Sequence, residues 1–376
     1  MNSNRYHERG ATAIVIVIFS VLLLLTVTVG FMRLVVQDQN RNTDSELSRG
    51  AYDSALAGVE DGKRVLQACL EAGPGSVACN AMNSGKCTTV SDAGIVASTP
   101  AGSPYEVKLK QTSGGVGGGF DQAYTCVTVN QKSPDYLGKV QVDKSEVIPL
   151  KSDAVFSEIT VSWYQKSDIL GAVNLRSNKL LPPLSGNGGW NDPAKQTPPL
   201  LRVQLIQRDI HNFKVDDFDA DTSSRTLFLI PSTTGSNSLS FSLDARESSS
   251  TAELQQVKCD PTALYVCSTR ISLLNQIEPN GVTTGKTAYL RISPMYGDTD
   301  YKVQLTNANF DGVQPIIDST GRASNVFRRV KVRTEFMSTA DIYPRATVDI
   351  TKNLCKNFSV TTSVADYRSG CNHDQP

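Results

Sequence analysis

"HERGATAIVIVIFSVLLLLTVTVGFMRLVV" occupies residues 7–36, and its reading decides the fold. From Ala11 to Met32 it carries no charge, a run of about 22 residues that at roughly 1.5 Å per residue crosses a hydrocarbon core of about 30 Å. A removable secretion signal has a shorter apolar core and a small-x-small cleavage site after it. Here the run is followed by Gly30, Phe31, Met32 and Arg33, with no such site, so cleavage behind the apolar stretch is not expected. Basic residues flank both ends, Arg5 and Arg9 before the span and Arg33 and Arg41 after it, and leave the orientation undecided.

The cysteines orient it better. All eight (Cys69, Cys79, Cys87, Cys126, Cys259, Cys267, Cys355 and Cys371) follow the span. An even count without a C-x-x-C pair suits disulfides better than zinc, and disulfides need an oxidising compartment, so the bulk of the chain is expected outside the cytoplasm. Two locally closed pairs are expected, Cys259 with Cys267 across "CDPTALYVC" and Cys355 with Cys371 across "CKNFSVTTSVADYRSGC". A bridge closing a loop of about 15 residues contributes roughly 3 kcal/mol in the chain-entropy model. Cys69, Cys79, Cys87 and Cys126 are expected to pair among themselves, in an order the sequence leaves open. With 376 residues and zero formal net charge, there is room for one or two globular domains beyond the span, and wholesale binding to nucleic acid or an anionic surface is disfavoured.

Beyond Met32 the helical pattern turns amphipathic. Leu47, Ala51, Ala55, Val59, Gly62, Leu66 and Cys69 recur every three or four residues, and Glu60 and Arg64 are spaced for an i,i+4 pair. "EAGPGS" (71–76) stops the helix, because Pro74 cannot continue it and the glycines favour a turn. Gly50, Gly58 and Gly62 are costly inside a helix, so the small-residue stripe Ala51, Ala55, Gly58, Gly62 predicts close packing. The partner is either the protein's own head or neighbouring helices.

A short polar leader ending in Arg9-Gly10, then a membrane-length apolar helix running into a long amphipathic one, resembles a type IV pilin or pseudopilin precursor. "AYDSALAGVEDGKRVL" (51–66) is similar to the helix continuation of PilX-like minor pilins, and "STGRASNVFRRVKVRTEF" (319–336) resembles a strand motif of their heads. The resemblance implies cleavage between Gly10 and Ala11 by a prepilin peptidase on the cytoplasmic side, with methylation of the new terminus at Ala11. It also implies partners: other pilin subunits through the helix, and the inner-membrane assembly platform. The family's major subunits usually start with an aromatic residue and carry glutamate at the fifth processed position, where this chain has Ala11 and Val15. That departure implies a minor, initiating or tip subunit.

The expected fold class is α+β, a pilin-like long N-terminal helix packed on an antiparallel β-rich head. Its parts are a leader (1–10), a transmembrane helix (11–32), an amphipathic continuation (33–72) and a disulfide-containing head (73–376). Beyond residue 100, "YEVKLKQ", "AYTCVTVNQ", "VFSEITVSWYQ", "LLRVQLIQ", "RTLFLIP", "LYVCSTRISL", "TAYLRIS", "DYKVQL" and "VFRRVKVRTEF" read as strands. The Pro/Gly-rich "LLPPLSGNGGWNDPAKQTPPL" (180–200) is the candidate boundary between two modules, with Trp190 expected to pin it to the head.

Candidate chemistry is sparse. "TSGGVGGGF" (112–120) lacks the Lys-Ser/Thr of a phosphate-binding loop. Asp217, Asp219 and Asp221 alternate like the opening of a calcium loop, but Thr222 stands where glycine is expected and Phe228 where glutamate closes it, so an acidic turn is the expected reading. The basic residues Arg322, Arg328, Arg329, Lys331 and Arg333 read as a solvated strand face rather than a nucleic-acid contact. His7, His211 and His373 are scattered, and neither catalysis nor a cofactor is expected. Two function classes compete, a filament subunit and a membrane-anchored extracellular binding protein or adhesin.

Overall fold

A computed structural model describes residues 8–96, 106–109, 121–142, 144–166, 173–177, 181–182, 189–190, 192, 196–209, 214, 224–241, 254–279 and 286–335, with side chains from residue 14. The elements in chain order are α1 (Glu8–Ala72), α2 (Val77–Asn83), α3 (Thr89–Asp92), β1 (Val107–Lys108), β2 (Gln122–Ser133), β3 (Tyr136–Val140), β4 (Glu146–Pro149), β5 (Phe156–Gln165), β6 (Leu200–Asp209) and β7 (Ser224–Ser232). They continue with β8 (Ser238–Ser240), β9 (Leu254–Lys258), β10 (Tyr265–Ile277), β11 (Lys286–Met295), β12 (Thr299–Leu305), β13 (Phe310–Ala323) and β14 (Val326–Arg333). The chain forms two compact units, Met1–Val129 with Ile317–Val332, and Asn130–Ile316 with Arg333–Pro376.

In the first unit α1 is one unbroken helix of 65 residues. It ends where the glycines and Pro74 require: Gly73 takes φ +79° and its N–H reaches the Cys69 carbonyl at 2.9 Å. Ser76 then caps α2, its hydroxyl accepting from the Cys79 N–H at 3.3 Å. Disulfides Cys69–Cys79 and Cys87–Cys126 tie the end of α1 to α2 and the α2–α3 link to β2. These are the pairings among the four N-terminal cysteines that the sequence left open. The sheet of this unit runs β1-β2-β13-β14.

The second unit holds two five-stranded sheets, ordered β3-β12-β5-β10-β8 and β4-β11-β6-β7-β9. Alternating residues of both build one core, including Ile159, Val161 and Trp163 of β5 and Leu201, Val203 and Leu205 of β6, all fully buried. Trp163 donates its indole N–H to the Pro199 carbonyl at 3.0 Å, satisfying the polar edge of a large buried ring. Most pairs are antiparallel, as expected, but β8 pairs parallel with β10 and β9 parallel with β7. The sheets are therefore mixed: β8 precedes β10 and β9 follows β7, each pair separated by a connection long enough for the chain to return in the same direction.

The proline- and glycine-rich stretch at 180–200 is not where the units divide; the division falls inside β2, β13 and β14. Leu181 and Trp190 instead belong to a local cluster with Leu200, Phe228 and Ile230, and Trp190 stacks on Tyr296 with centroids 5.0 Å apart. Burial of one large ring holds the excursion to the second unit, the role expected of Trp190.

Candidate functional site

The feature that separates this protein from an ordinary β-rich domain is the change in surface along α1. From Ile14 to Val36 every large apolar side chain is exposed, with Phe19 at 70% and Met32 at 71%. Covering one such side chain stabilises by about 1.5–3 kcal/mol, so the stretch demands an apolar environment along its length. Its hydroxyls do not oppose that demand. Ser20 donates to the Ile16 carbonyl at 2.8 Å, Thr26 to that of Leu23 at 2.8 Å and Thr28 to that of Leu24 at 3.0 Å. Each polar group is satisfied by the helix itself, as lipid or a protein interior requires. The helix is long and apolar enough to cross a membrane.

From Leu47 onward the same helix is docked. Leu47, Ala51, Ala55, Val59, Leu66 and Cys69 are buried, the face the periodicity marked. The small-residue stripe packs on the protein's own sheet. A Cβ at Gly62 would lie 2.7 Å from Ile317, and one at Gly58 would collide with the Ser319 hydroxyl and Val127. The approach is closest at Gly321 of β13, where a Cβ would overlap the Ala51 carbonyl oxygen and the Ala55 amide nitrogen. Backbone meets backbone there, which glycine permits and a side chain forbids.

A partly buried polar pair fixes the helix on the sheet. Tyr124 of β2, 2% exposed, donates its hydroxyl to the Asp61 carboxylate at 2.7 Å. Burial first, then the hydrogen bond to Asp61 and its charge, push the Tyr124 hydroxyl well above the usual tyrosine range. The expected Glu60–Arg64 pair is replaced by two i,i+3 pairs, Lys63–Glu60 at 2.7 Å and Arg64–Asp61 at 3.0 Å. Asp61 is held in place by Tyr124, so Arg64 turns to it. Neither the Tyr124–Asp61 pair nor the Gly321 contact was read from the sequence. A glycine within a strand was the signal available for the second.

The basic strand is locally partnered. Arg322 donates to Glu106 and Asp121, Arg329 grips Asp318 with two bonds of 2.7 and 2.6 Å, and Arg328 donates to the Ser48 hydroxyl. Arg333 reaches Asp135 at 2.6 Å. The Arg322 guanidinium and Lys108 beside Asp121 hold its carboxyl below the usual range. Lys331 is exposed. Arg328, Arg329 and Lys331 lie on the solvated strand face expected of them, whereas Arg322, on β13, and Arg333 are partly buried in their ion pairs.

Cys259 and Cys267 are bonded as expected and close a hairpin. Inside it the Thr262 hydroxyl and N–H donate to Asp260 at 2.7 and 2.8 Å and hold that carboxyl low. Gly10 and Ala11 lie in the first turns of the α1 backbone. Cys355 and Cys371, the calcium candidates Asp217, Asp219 and Asp221, and the three histidines lie outside the described residues. Among the described residues, no group of three or more His, Cys, Asp or Glu is placed to hold a metal ion. No protein-family model, curated protein or solved structure matches the chain.

Proposed function

We propose that the chain is a minor subunit, at an initiating or tip position, of a type IV pilus or related pseudopilus, with a structural rather than a catalytic role. The observation that carries the reading is the division of α1: one continuous helix, bare and apolar over Ile14–Val36 and docked on its own sheet over Leu47–Cys69. Such a helix anchors the protein in the cytoplasmic membrane first. Later its apolar half exchanges lipid for the helices of neighbouring subunits, so the hydrophobic surface never meets water. The docked half keeps the sheet it packs on fixed to the rod during that exchange, outside the cell, where the disulfides are stable.

Processing between Gly10 and Ala11 by a prepilin peptidase releases the rod from its leader. Val15 then stands where a repeating subunit would carry a glutamate to neutralise a neighbour's terminal amine, a charge costly to bury alone. A subunit with none ahead of it has no such amine to meet, which favours the initiating or tip position. The second reading is a membrane-anchored extracellular binding protein or adhesin that stays unassembled. The same bare apolar helix favours it too, since lipid alone satisfies that surface.

N-terminal mass spectrometry of the protein from wild-type cells separates the two. The expected result is a chain beginning at a methylated Ala11, and a Gly10→Val variant that keeps residues 1–10 and is absent from sheared filaments. An intact leader in the wild type refutes the filament reading and leaves the anchored binding protein.

A further inference from the structure

Between the bare and docked halves, α1 passes through "QDQNRNTDSE" (37–46), where every residue is exposed. Among the described residues, no hydrogen bond or ion pair from another element reaches this stretch. Its composition opposes the helix as well: Asp38, Asn40, Asn42, Thr43, Asp44 and Ser45 all come from the unfavourable half of the propensity scale. A helix that is polar all round and unsupported is the weakest link of a long rod.

The order of these residues is more informative than their composition. Thr43-Asp44-Ser45-Glu46 followed by Leu47 is the S/T-x-x-E pattern of a helix start, with acidic residues in the first turn and the apolar run directly behind. Just ahead, Asn40 and Asn42 tolerate the left-handed turn that ends a helix, and Arg41 suits a helix C-terminus. A stop and a start are thus written into the middle of an unbroken helix. In the rod the start signal is unused: the Thr43 hydroxyl donates back to the Gln39 carbonyl at 2.9 Å instead of accepting from Glu46.

We infer that residues 40–43 form a latent hinge with two capped states. In one, α1 is the continuous rod. In the other, the helix breaks before Thr43, whose hydroxyl accepts from the Glu46 N–H while the Glu46 carboxylate accepts from the Thr43 N–H. Thr43 lies about 16 Å along the axis beyond Met32, at roughly 1.5 Å per residue, so the freed carbonyls meet water rather than hydrocarbon. The apolar half and the docked half then reorient as separate rods. The hinge acts whether lipid or neighbouring helices cover the apolar half, so it stands apart from the filament reading.

The test is residue-resolved amide exchange on the full-length protein in lipid nanodiscs. In the broken state the Asp44 and Ser45 amides lose their intrahelical acceptors, while Thr43 and Glu46 stay covered by the reciprocal pair. The wild type is expected to exchange at Asp44 and Ser45 at least about tenfold faster than at Ala51–Leu66, and faster than at Glu46. Glu46→Ala removes half of the cap and is expected to slow exchange at Asp44 and Ser45 severalfold. Asp44→Pro puts proline at the first helical position, which the broken state accepts and the rod does not, so this variant should keep full protection at Ala51–Leu66. Equal protection of Asp44, Ser45 and Ala51–Leu66 in the wild type overturns the hinge, as does an unchanged or faster exchange in Glu46→Ala. Loss of protection over Ala51–Leu66 in Asp44→Pro overturns it independently, because it means that the docked half depends on an unbroken rod.

Discussion

From Ile14 to Val36 the helix α1 presents large apolar side chains on every face, all of them uncovered. From Leu47 to Cys69 its apolar residues narrow to one stripe, rich in glycine and alanine, and that stripe is buried against β2 and β13. The first half has a chemical requirement without a shape: any apolar surroundings satisfy it. The second has a shape, because Gly58, Gly62 and Gly321 leave no room for a single added carbon. A surface meant for lipid or exchangeable neighbours tolerates substitution by size, while a surface with one permanent partner does not.

Three changes test that contrast. Gly321→Leu drives a side chain into the Ala51–Ala55 backbone and should cost about 4 kcal/mol, read as a lost or strongly shifted urea transition of the full-length protein in detergent. A tolerated Gly321→Leu would mean that the docking is loose. Replacing Leu22, Leu23, Leu24 and Leu25 together by lysine places four charges at the middle of the bare half, each making insertion less favourable by about 3 kcal/mol; membrane fractionation should show the protein shed from the membrane, with the docked half as stable as before. Retention of the lysine variant in the membrane would show that the bare half is not the anchor.

The smallest effect belongs to Tyr124→Phe, which leaves the partly buried Asp61 with Arg64 as its partner and should cost about 1–2 kcal/mol in the same urea assay. It also carries a pH signature. The folded Tyr124 hydroxyl titrates well above the unfolded value of about 10, so its contribution is intact below that pH and is lost as pH rises toward the folded value. Wild-type stability should therefore fall faster above pH 10 than that of the phenylalanine variant. Parallel pH curves would show that Tyr124 is not held protonated by the dock.

How much of this was legible depended on whether the signal was periodic. The buried face Leu47, Ala51, Ala55, Val59, Leu66 repeats at helical spacing and was read residue by residue. Strands with β-branched runs, such as β5 and β6, were found near their observed bounds. The long strand β13 was not read beyond its end, because Asp311, Gly312, Pro315 and Gly321 look like breakers in a one-dimensional pattern. Two of those residues have three-dimensional reasons to be there. Gly312 takes φ +68°, and Gly321 clears the path of α1. β8 and β9 escaped because they are three and five residues long and borrow their order from longer partners.

The sequence by itself determined the apolar span, the helix that continues from it, its stop at Gly73–Pro74 and the face it buries, because each is a local preference repeated along the chain. It also narrowed the N-terminal cysteines to a set of four. Only the tertiary structure decided which of them pair, that Asp61 answers to Tyr124 rather than to its helix neighbours alone, and that two edge strands run parallel. Those outcomes depend on which distant groups arrive within a few ångströms of each other, and no local pattern carries that distance.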